Sequence, residues 1–416
     1  MSQIVTMPHT ATLREPAASR PPHRTIAWII RGDESYGVRQ GTLSLLRGLR
    51  ALGWSTLVVA LRRGDTASAC ERMGCATHYL EHDLTSRPEG GTLGKAVHFV
   101  AHQRETRNAS KSVSALLRPM NPDGVNFCWP DLVTLAGQVA KSLRAPCFWH
   151  MPTVIRDGRF LGVPVVSLFY QWQCRRYGIL PLANSRAVAA TLGDLWVKPV
   201  VLHLGVDVHR FDPGHVKALH RGQLGIPSGA TVLGIFARLC PFKGQDRVFQ
   251  SVLATRGMEP GLHLLLLGGP CDAPFAQSIR QAAAAADASH ILHFAGEVQE
   301  PERYYGAVDL PVNACVAAEP FGLSVVEAMM MGKPVLVHAL GGPAETVIDG
   351  VTGWHVPDAS VEALARGIRR ALDDRPRWPT MGTQARKHAI ENYSTDAYCS
   401  RYVQIVERTL ANLANR

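Results

Sequence analysis

The sequence predicts an α/β protein built from two doubly wound parallel sheets with a ligand cleft between them. Three observations carry this. Apolar runs of strand length alternate with helix-length periodic segments through most of the chain, the pattern of parallel strands joined by helical crossovers. A length of 416 residues suits two domains with a core each. No repeat of roughly 20–50 residues recurs, so a solenoid or propeller is not indicated.

Taken in order, Thr25–Ile30, Ser55–Ala60, Val125–Trp129, Pro146–Trp149 and Ile179–Ala183 read as strands, with Gly41–Leu52 and Asp131–Leu143 as helices between them. In the second half Thr231–Phe236, Leu262–Leu267, Ile291–Phe294 and Pro334–Val337 read as strands. Asp246–Ala254, the alanine-rich Ala276–Ala286 and Ser360–Leu372 read as helices, and so does the final stretch, Asp396–Leu413. The boundary between the halves falls near 205–212. Sheets of this kind bind ligands beyond the carboxyl ends of their strands.

Composition narrows the function. The apolar fraction, 46%, is that of a globular protein. No apolar run approaches the ~18 residues of a membrane span. Residues 1–23 carry Pro8, Pro16, Pro21 and Pro22 among polar residues and lack the apolar core of a secretory signal; they read as a disordered tail. Nine cysteines without zinc-finger spacing point to a reduced, cytoplasmic protein. Charge is uneven. Residues 1–210 hold 25 Lys and Arg against 14 Asp and Glu, while residues 211–416 hold 19 against 20. A basic first half suits something acidic: an anionic membrane surface or a phosphorylated acceptor. No nucleic-acid-binding motif is present.

One basic stretch is organised. From Lys95 to Arg118 the chain reads as a single helix. Arg104, Arg107, Lys111 and Arg118 fall within about 60° of each other on it, with Phe99, Val113, Leu116 and Leu117 on the other side. Glu105 is the one acidic residue in that span.

The densest chemistry lies at Glu319-Pro-Phe-Gly-Leu-Ser-Val-Val-Glu327, followed by Ala-Met-Met-Met-Gly-Lys-Pro334. Gly322 opens a short helix whose free N–H groups and positive dipole end suit a phosphate. Glu327 lies about five residues further along, ~7–8 Å down the axis, roughly the distance from a nucleotide diphosphate to its ribose hydroxyls. Upstream, Arg238 and Lys243 follow a strand, where fixed cations could stabilise a departing diphosphate.

These residues resemble the Glu-x7-Glu signature of the retaining GT-B glycosyltransferases, the glycogen-synthase-like family 4. Ala237-Arg238-Leu-Cys-Pro-Phe-Lys243-Gly244 is similar to the family's Arg…Lys-Gly element. Gly341-Gly342-Pro-Ala-Glu345, continuing to Gly350-Val-Thr-Gly353, is similar to its Gly-Gly…Glu…Gly tail, and Leu204-Gly205-Val206-Asp207…Phe211 to its interdomain segment. The resemblance is continuous over residues 200–360 and weaker before. It implies two Rossmann-like domains, at 24–204 for the acceptor and 205–395 for the nucleotide sugar, with residues 396–416 packing back on the first.

It implies roles as well. Arg238 and Lys243 would stabilise the leaving diphosphate. Gly322 and Leu323 would offer backbone N–H groups to it, with Phe321 in the same substrate-binding turn. Glu327 would accept from the ribose hydroxyls, and Glu319 would lie against the donor sugar. His150, at the end of a strand, would face the cleft near sugar and acceptor. The base would sit near Gly296–Val298, with Val298 in contact. Gly37 would let the backbone approach the ligand; beside it the family's first glycine of a Gly-Gly turn is replaced here by Tyr36. Ser185 and Arg186 could touch phosphate or acceptor, or cap a helix. No Asp-x-Asp occurs, so a metal-independent site is expected, with no cofactor beyond the nucleotide-sugar substrate. The basic helix resembles the membrane-facing helix of family members that use lipid-linked acceptors.

The expected activity is transfer of a UDP- or GDP-linked sugar to a hydroxyl acceptor in polysaccharide, lipopolysaccharide or glycolipid synthesis. A sugar-nucleotide epimerase, a sugar phosphorylase and a non-catalytic nucleotide-sugar-binding partner of a synthase are the alternatives.

Overall fold

A computed structural model describes residues 23–82, 92–155, 159–160 and 163–415. The expected tail, apart from His23, lies outside the described residues, and the side chain of Phe99 does too. The first domain is a seven-stranded sheet. Its strands are β1 (Thr25–Ile30), β2 (Ser55–Ala60), β3 (Ala76–Tyr79), β4 (Gly124–Phe127), β5 (Cys147–Met151), β8 (Ile179–Ala183) and β9 (Val200–Val201); a separate two-stranded ribbon pairs β6 (Arg159–Phe160) with β7 (Val163–Pro164). The second sheet has six strands: β10 (Thr231–Phe236), β11 (Leu262–Leu267), β12 (Leu292–Gly296), β13 (Leu310–Asn313), β14 (Val335–His338) and β15 (Gly353–Val356).

The orders are β3-β2-β1-β4-β5-β8-β9 and β12-β11-β10-β13-β14-β15, and every pairing within the two sheets is parallel. Both therefore run outward from the first strand and then reverse past it, the doubly wound arrangement. Central strands are buried on both faces, which is why β1 and β11 read as near-continuous apolar runs, interrupted only by Thr25 and His263.

Helices cover each sheet. In the first domain these are α1 (Tyr36–Ala51), α2 (Asp65–Arg72), α3 (Thr92–Leu117), α4 (Val133–Leu143), α5 (Val165–Tyr177) and α6 (Arg186–Leu192). In the second they are α7 (Gln245–Thr255), α8 (Pro274–Ala285), α9 (Leu323–Met330), α10 (Pro343–Thr346), α11 (Val361–Asp373) and α12 (Trp378–Tyr393). The last helix, α13 (Thr395–Ala414), follows the second domain in sequence but packs on the first. Its Tyr402, Tyr398 and Cys399 share a core with Trp54, Phe148 and Leu45. A Cβ at Gly48 of α1 would stand 2.1 Å from the Cys399 sulfur, so only glycine lets the two helices meet there. Arg24 adds a two-pronged contact to Glu407 at 2.9 and 2.7 Å.

The chain crosses between domains twice, at 202–206 and at 393–395, and the crossings run side by side. Val206 N–H donates to Tyr393 O at 2.8 Å and Thr395 N–H donates to Val206 O at 3.0 Å.

Helix α3 contains the expected basic face. Arg104, Arg107, Lys111 and, just past its end, Arg118 are exposed, whereas Ala109, Val113 and Leu117 are buried against the sheet. Among the described residues no helix is long and apolar enough to cross a membrane.

Candidate active site

Each sheet reverses its strand order once, between β1 and β4 and between β10 and β13. A crevice opens there because the loops on either side leave in opposite directions. The loop after β10 carries Arg238 and Lys243, and the loop after β13 carries Glu319. Topology alone thus brings together residues 76 positions apart.

Lys243 Nζ pairs with Glu319 Oε2, and the Cys315 thiol donates to the same oxygen at 2.8 Å. The two charged side chains are 16% and 14% exposed. Burial pulls the lysine pKa down, but the charge and hydrogen bond of Glu319, together with the Cys315 and Cys240 sulfurs, outweigh it, and the net shift is upward. The ammonium is therefore retained. Burial and the Glu319 charge push the Cys315 thiol well above its ordinary range, so it stays a neutral donor. Gly244, at φ 70°, ends the Lys243 turn; a Cβ there would stand 2.3 Å from Ala314 O, so the two loops touch through bare backbone. Gln245 holds the other end, donating to Arg238 O at 2.7 Å.

Glycine also shapes the turn into α9. Gly322 adopts φ 84° at the N-cap, and no side chain caps the helix, which leaves the N–H groups of its first turn without a side-chain acceptor. The Gly341-Gly342 pair presses on this turn: Gly342 N–H donates to Glu319 O at 2.8 Å, and a Cβ at Gly341 would lie 2.2 Å from that oxygen. One turn and a half along α9, Glu327 Oε2 accepts from Tyr305 OH at 3.1 Å. Tyr305 is fully buried and stacks on Phe236 at 3.8 Å. Burial raises the Glu327 carboxyl to about 7, against the lowering effect of the Tyr305 hydrogen bond.

The first domain supplies the opposite wall. Gly37 lies in the first turn of α1, and a Cβ there would be 3.5 Å from the Leu323 side chain. Tyr36 beside it sits at φ 49°, a conformation that costs a non-glycine residue about 1–2 kcal/mol. Its ring, half exposed, lies 4.7 Å from the Arg238 guanidinium. Arg238 has no carboxylate partner among the described residues. Farther along, Glu345 of α10 accepts from the N–H groups of Arg186 and Ala187 at 3.0 and 2.9 Å and from His203 at 3.2 Å. A carboxylate of the second domain thus binds the amino end of α6 in the first. Burial raises its pKa, but these donors outweigh that and hold it below the usual range.

Other expected residues are placed differently. Strand alternation turns His150 onto the face that α13 covers, away from the cleft. It is 7% exposed, stacks near Trp28 at 4.6 Å and Tyr402 at 5.5 Å, and pairs through Nε2 with Asn126 Oδ1 at 2.9 Å. Asn126 uses its Nδ2 on Ala27 O, so its oxygen accepts and the imidazole is the Nε2–H form. Burial drops the ring pKa to about 3. The Phe321 ring is 2% exposed and packs 6.0 Å from His203 and 5.9 Å from Tyr393. It turns into the core because Gly342 occupies the space above its backbone. Val298 is half-buried just past β12, two strands from β10, ~10 Å at strand spacing. Ser185 caps α6, accepting from Val188 N–H at 3.0 Å. Sequence reasoning gave Tyr305 and Cys315 no role. A lone tyrosine and a lone cysteine carry no spacing signal, and both matter only through carboxylates far along the chain.

Known proteins resemble this chain in sequence and in fold. Residues 216–388 match the profile of the glycosyl transferases group 1. The D-inositol 3-phosphate glycosyltransferase of Kineococcus radiotolerans is 29% identical over 253 residues, covering 56% of this chain and 58% of that protein. The GDP-mannose-dependent alpha-(1-6)-phosphatidylinositol monomannoside mannosyltransferase of Mycolicibacterium smegmatis is 28% identical over 211 residues, covering 49% of this chain and 54% of that protein. The chain thus spans a little over half the length of these curated relatives. Among solved structures, Anabaena HepE in complex with UDP and glucose superposes with a TM-score of 0.75 at 20% identity, covering 93% of this chain and all of HepE.

Proposed function

We propose that the chain, whose residues 216–388 match the glycosyl transferases group 1 and whose fold is GT-B, moves a sugar from a nucleoside-diphosphate sugar to a hydroxyl acceptor with retention of the anomeric configuration. The observation that supports this most is the convergence of Arg238, Lys243, Glu319 and the open end of α9 at the reversal point of the second sheet. Without ligand, Lys243 rests on Glu319 and Arg238 on Tyr36. A donor diphosphate would draw both cations and meet the N–H groups after Gly322. As the bond from the anomeric carbon to the phosphate oxygen breaks, charge grows on the diphosphate. Cations already in place stabilise that state more than the ground state. The acceptor oxygen forms the new bond to the anomeric carbon, and its proton leaves with the departing diphosphate. Glu327 would accept from the ribose, Val298 would border the base, and Glu319 would turn to the sugar. Gly37 admits the ligand against α1, while His150 and Phe321 hold the walls in place.

The relatives named above act, by their names, on an inositol phosphate and on a phosphatidylinositol mannoside. A phosphorylated or lipid-linked acceptor suits the basic first domain. Arg104, Arg107, Lys111 and Arg118 would face an anionic membrane surface from the cytoplasmic side, worth at most ~4 kcal/mol at ~1 kcal/mol each. Thermal denaturation with a panel of UDP-, GDP- and ADP-sugars tests the donor. The right one at 100 times its dissociation constant should add ~2.7 kcal/mol. No stabilisation by any nucleotide sugar, together with no release of nucleoside diphosphate, would overturn the reading.

A further inference from the structure

Helix α5 is built inside out. Its buried positions are Ser167, Gln171, Gln173 and Cys174, while Val165, Phe169 and Trp172 stand 41%, 48% and 44% exposed. Positions 165, 169, 172 and 176 form one helical stripe. The polar residues inside act as fasteners. The Gln171 amide binds five backbone groups at the end of α6 and in the segment after it: Nε2 donates to the carbonyls of Leu192, Gly193 and Val197 at 3.4, 2.7 and 2.9 Å. Its Oε1 accepts from Trp196 and Val197 N–H at 3.0 and 2.8 Å. The clamped segment presents Leu195 and Trp196, 63% and 42% exposed. Five exposed apolar side chains thus stand on two elements locked to each other. Apolar side chains gathered in this way mark a contact surface.

Charge identifies the occupant. Helix α5 has no acidic residue, and Arg175 and Arg176 form its last turn. The Arg176 guanidinium lies 5.0 Å from the Trp172 ring and 5.6 Å from the Tyr177 ring. Lys198 is exposed beside the clamped segment, and Asp194 is its one acidic group. Tryptophan and phenylalanine rimmed by arginine suit the boundary between head groups and acyl chains, where aromatic rings settle and arginine stems reach up to phosphates. Helices α3, α4, α5 and α6 all pack on the same face of the first sheet. The aromatic stripe and the basic face of α3 therefore belong to one helical layer.

We propose that the outer face of α5 and the 193–197 segment form a bilayer-docking surface, with Phe169, Trp172, Leu195 and Trp196 seated at the interface and Arg175 and Arg176 on anionic lipid phosphates. The basic face of α3 supplies attraction that salt screens; the aromatic stripe supplies burial that salt does not. Only the purpose of docking, access to a lipid-linked acceptor, rests on the proposed transfer reaction.

The test is flotation of the full chain with phosphatidylglycerol–phosphatidylcholine vesicles at low and high salt. Quenching of tryptophan emission by lipids brominated near the head group is read in parallel. Wild type should keep a salt-resistant bound fraction and be quenched. The triple variant Phe169→Ser/Trp172→Ser/Trp196→Ser should lose about tenfold or more of the high-salt partitioning, and Trp196→Ala alone should lose part of it. Stabilisation by donor is measured on the same samples. If donor stabilisation is missing but vesicle binding follows the stripe, the transfer reading falls and docking stands. Equal partitioning of wild type and both variants, or unquenched emission, overturns the proposal. A wild-type dimer that ignores vesicles and that the triple variant splits would overturn it too, assigning the stripe to a second copy of the chain.

Discussion

At the scale of single residues, the site is held by groups whose charge states are set by burial. Lys243 keeps its proton because Glu319 is beside it. Lys243→Ala should lower turnover ~10²–10³-fold, whereas activity within threefold of wild type would remove it from the reaction. Glu319→Ala should spare nucleotide binding and lower turnover. Glu327, held at about 7 by burial, should accept ribose hydroxyls best as the carboxylate. Affinity for the nucleotide sugar should therefore rise as pH climbs through 7 and level off above it, by up to about tenfold per unit below. Calorimetry across pH checks this, and Glu327→Gln should flatten the profile. The sign for stability is opposite. A raised carboxyl pKa contributes stability below its ordinary value and loses it as pH rises through the folded one, so Glu327→Gln should melt higher than wild type in alkaline buffer. Tyr36 stores backbone strain at φ 49°. Tyr36→Gly relieves it and Tyr36→Ala does not, so urea denaturation should find the glycine variant about 1 kcal/mol more stable than the alanine one.

At the scale of elements, α3 offers a separable test. Replacing Arg104, Arg107, Lys111 and Arg118 by Ser should lower vesicle sedimentation at low salt to the salt-resistant fraction that the α5 stripe supports; unchanged sedimentation would leave that stripe as the whole contact. Elements were legible in the sequence where their own residues determine them. The strands β1, β2, β8, β10 and β11 are read to the residue because each is an apolar run bounded by breakers. Strand β13 is not, although it is central. It has only four residues, too short a run to stand out from its surroundings. Helix α1 begins five residues before the expected Gly41, because Tyr36 takes a backbone conformation its side chain disfavours. Helix α5 was missed for a stronger reason: its apolar stripe points outward, so no amphipathic pattern aims it at the core. The site behaves likewise. Glu319 and Glu327 stand out by their spacing about one short helix, whereas Arg238 and Lys243 stand out only through the resemblance of their motif to the family's. The burial of His150 and Phe321 depends on which neighbour covers each face, and that is fixed by α13 and by the Gly341-Gly342 pair from far along the chain.

At the scale of the whole molecule, the proposed reading has Arg238, Lys243 and the amino end of α9 supply the positive charge that a departing diphosphate needs. EDTA should therefore leave turnover unchanged; loss restored by Mg²⁺ or Mn²⁺ would contradict the assignment of Arg238 and Lys243. The paired crossings at 202–206 and 393–395 have a mechanical consequence. Two chain segments tied to each other at one spot act as a pivot with a single axis. The lobes can open and shut about it, but neither can slide or spin freely against the other, so motion is channelled into bringing Tyr36 and Gly37 toward Arg238 and Leu323. The same threading makes the first lobe depend on a helix that follows the whole second lobe in sequence. Cut after residue 204, it would lack the helix that seals Trp54 and Phe148 from water, and it should recover its fold only when a peptide spanning 394–415 is supplied in trans.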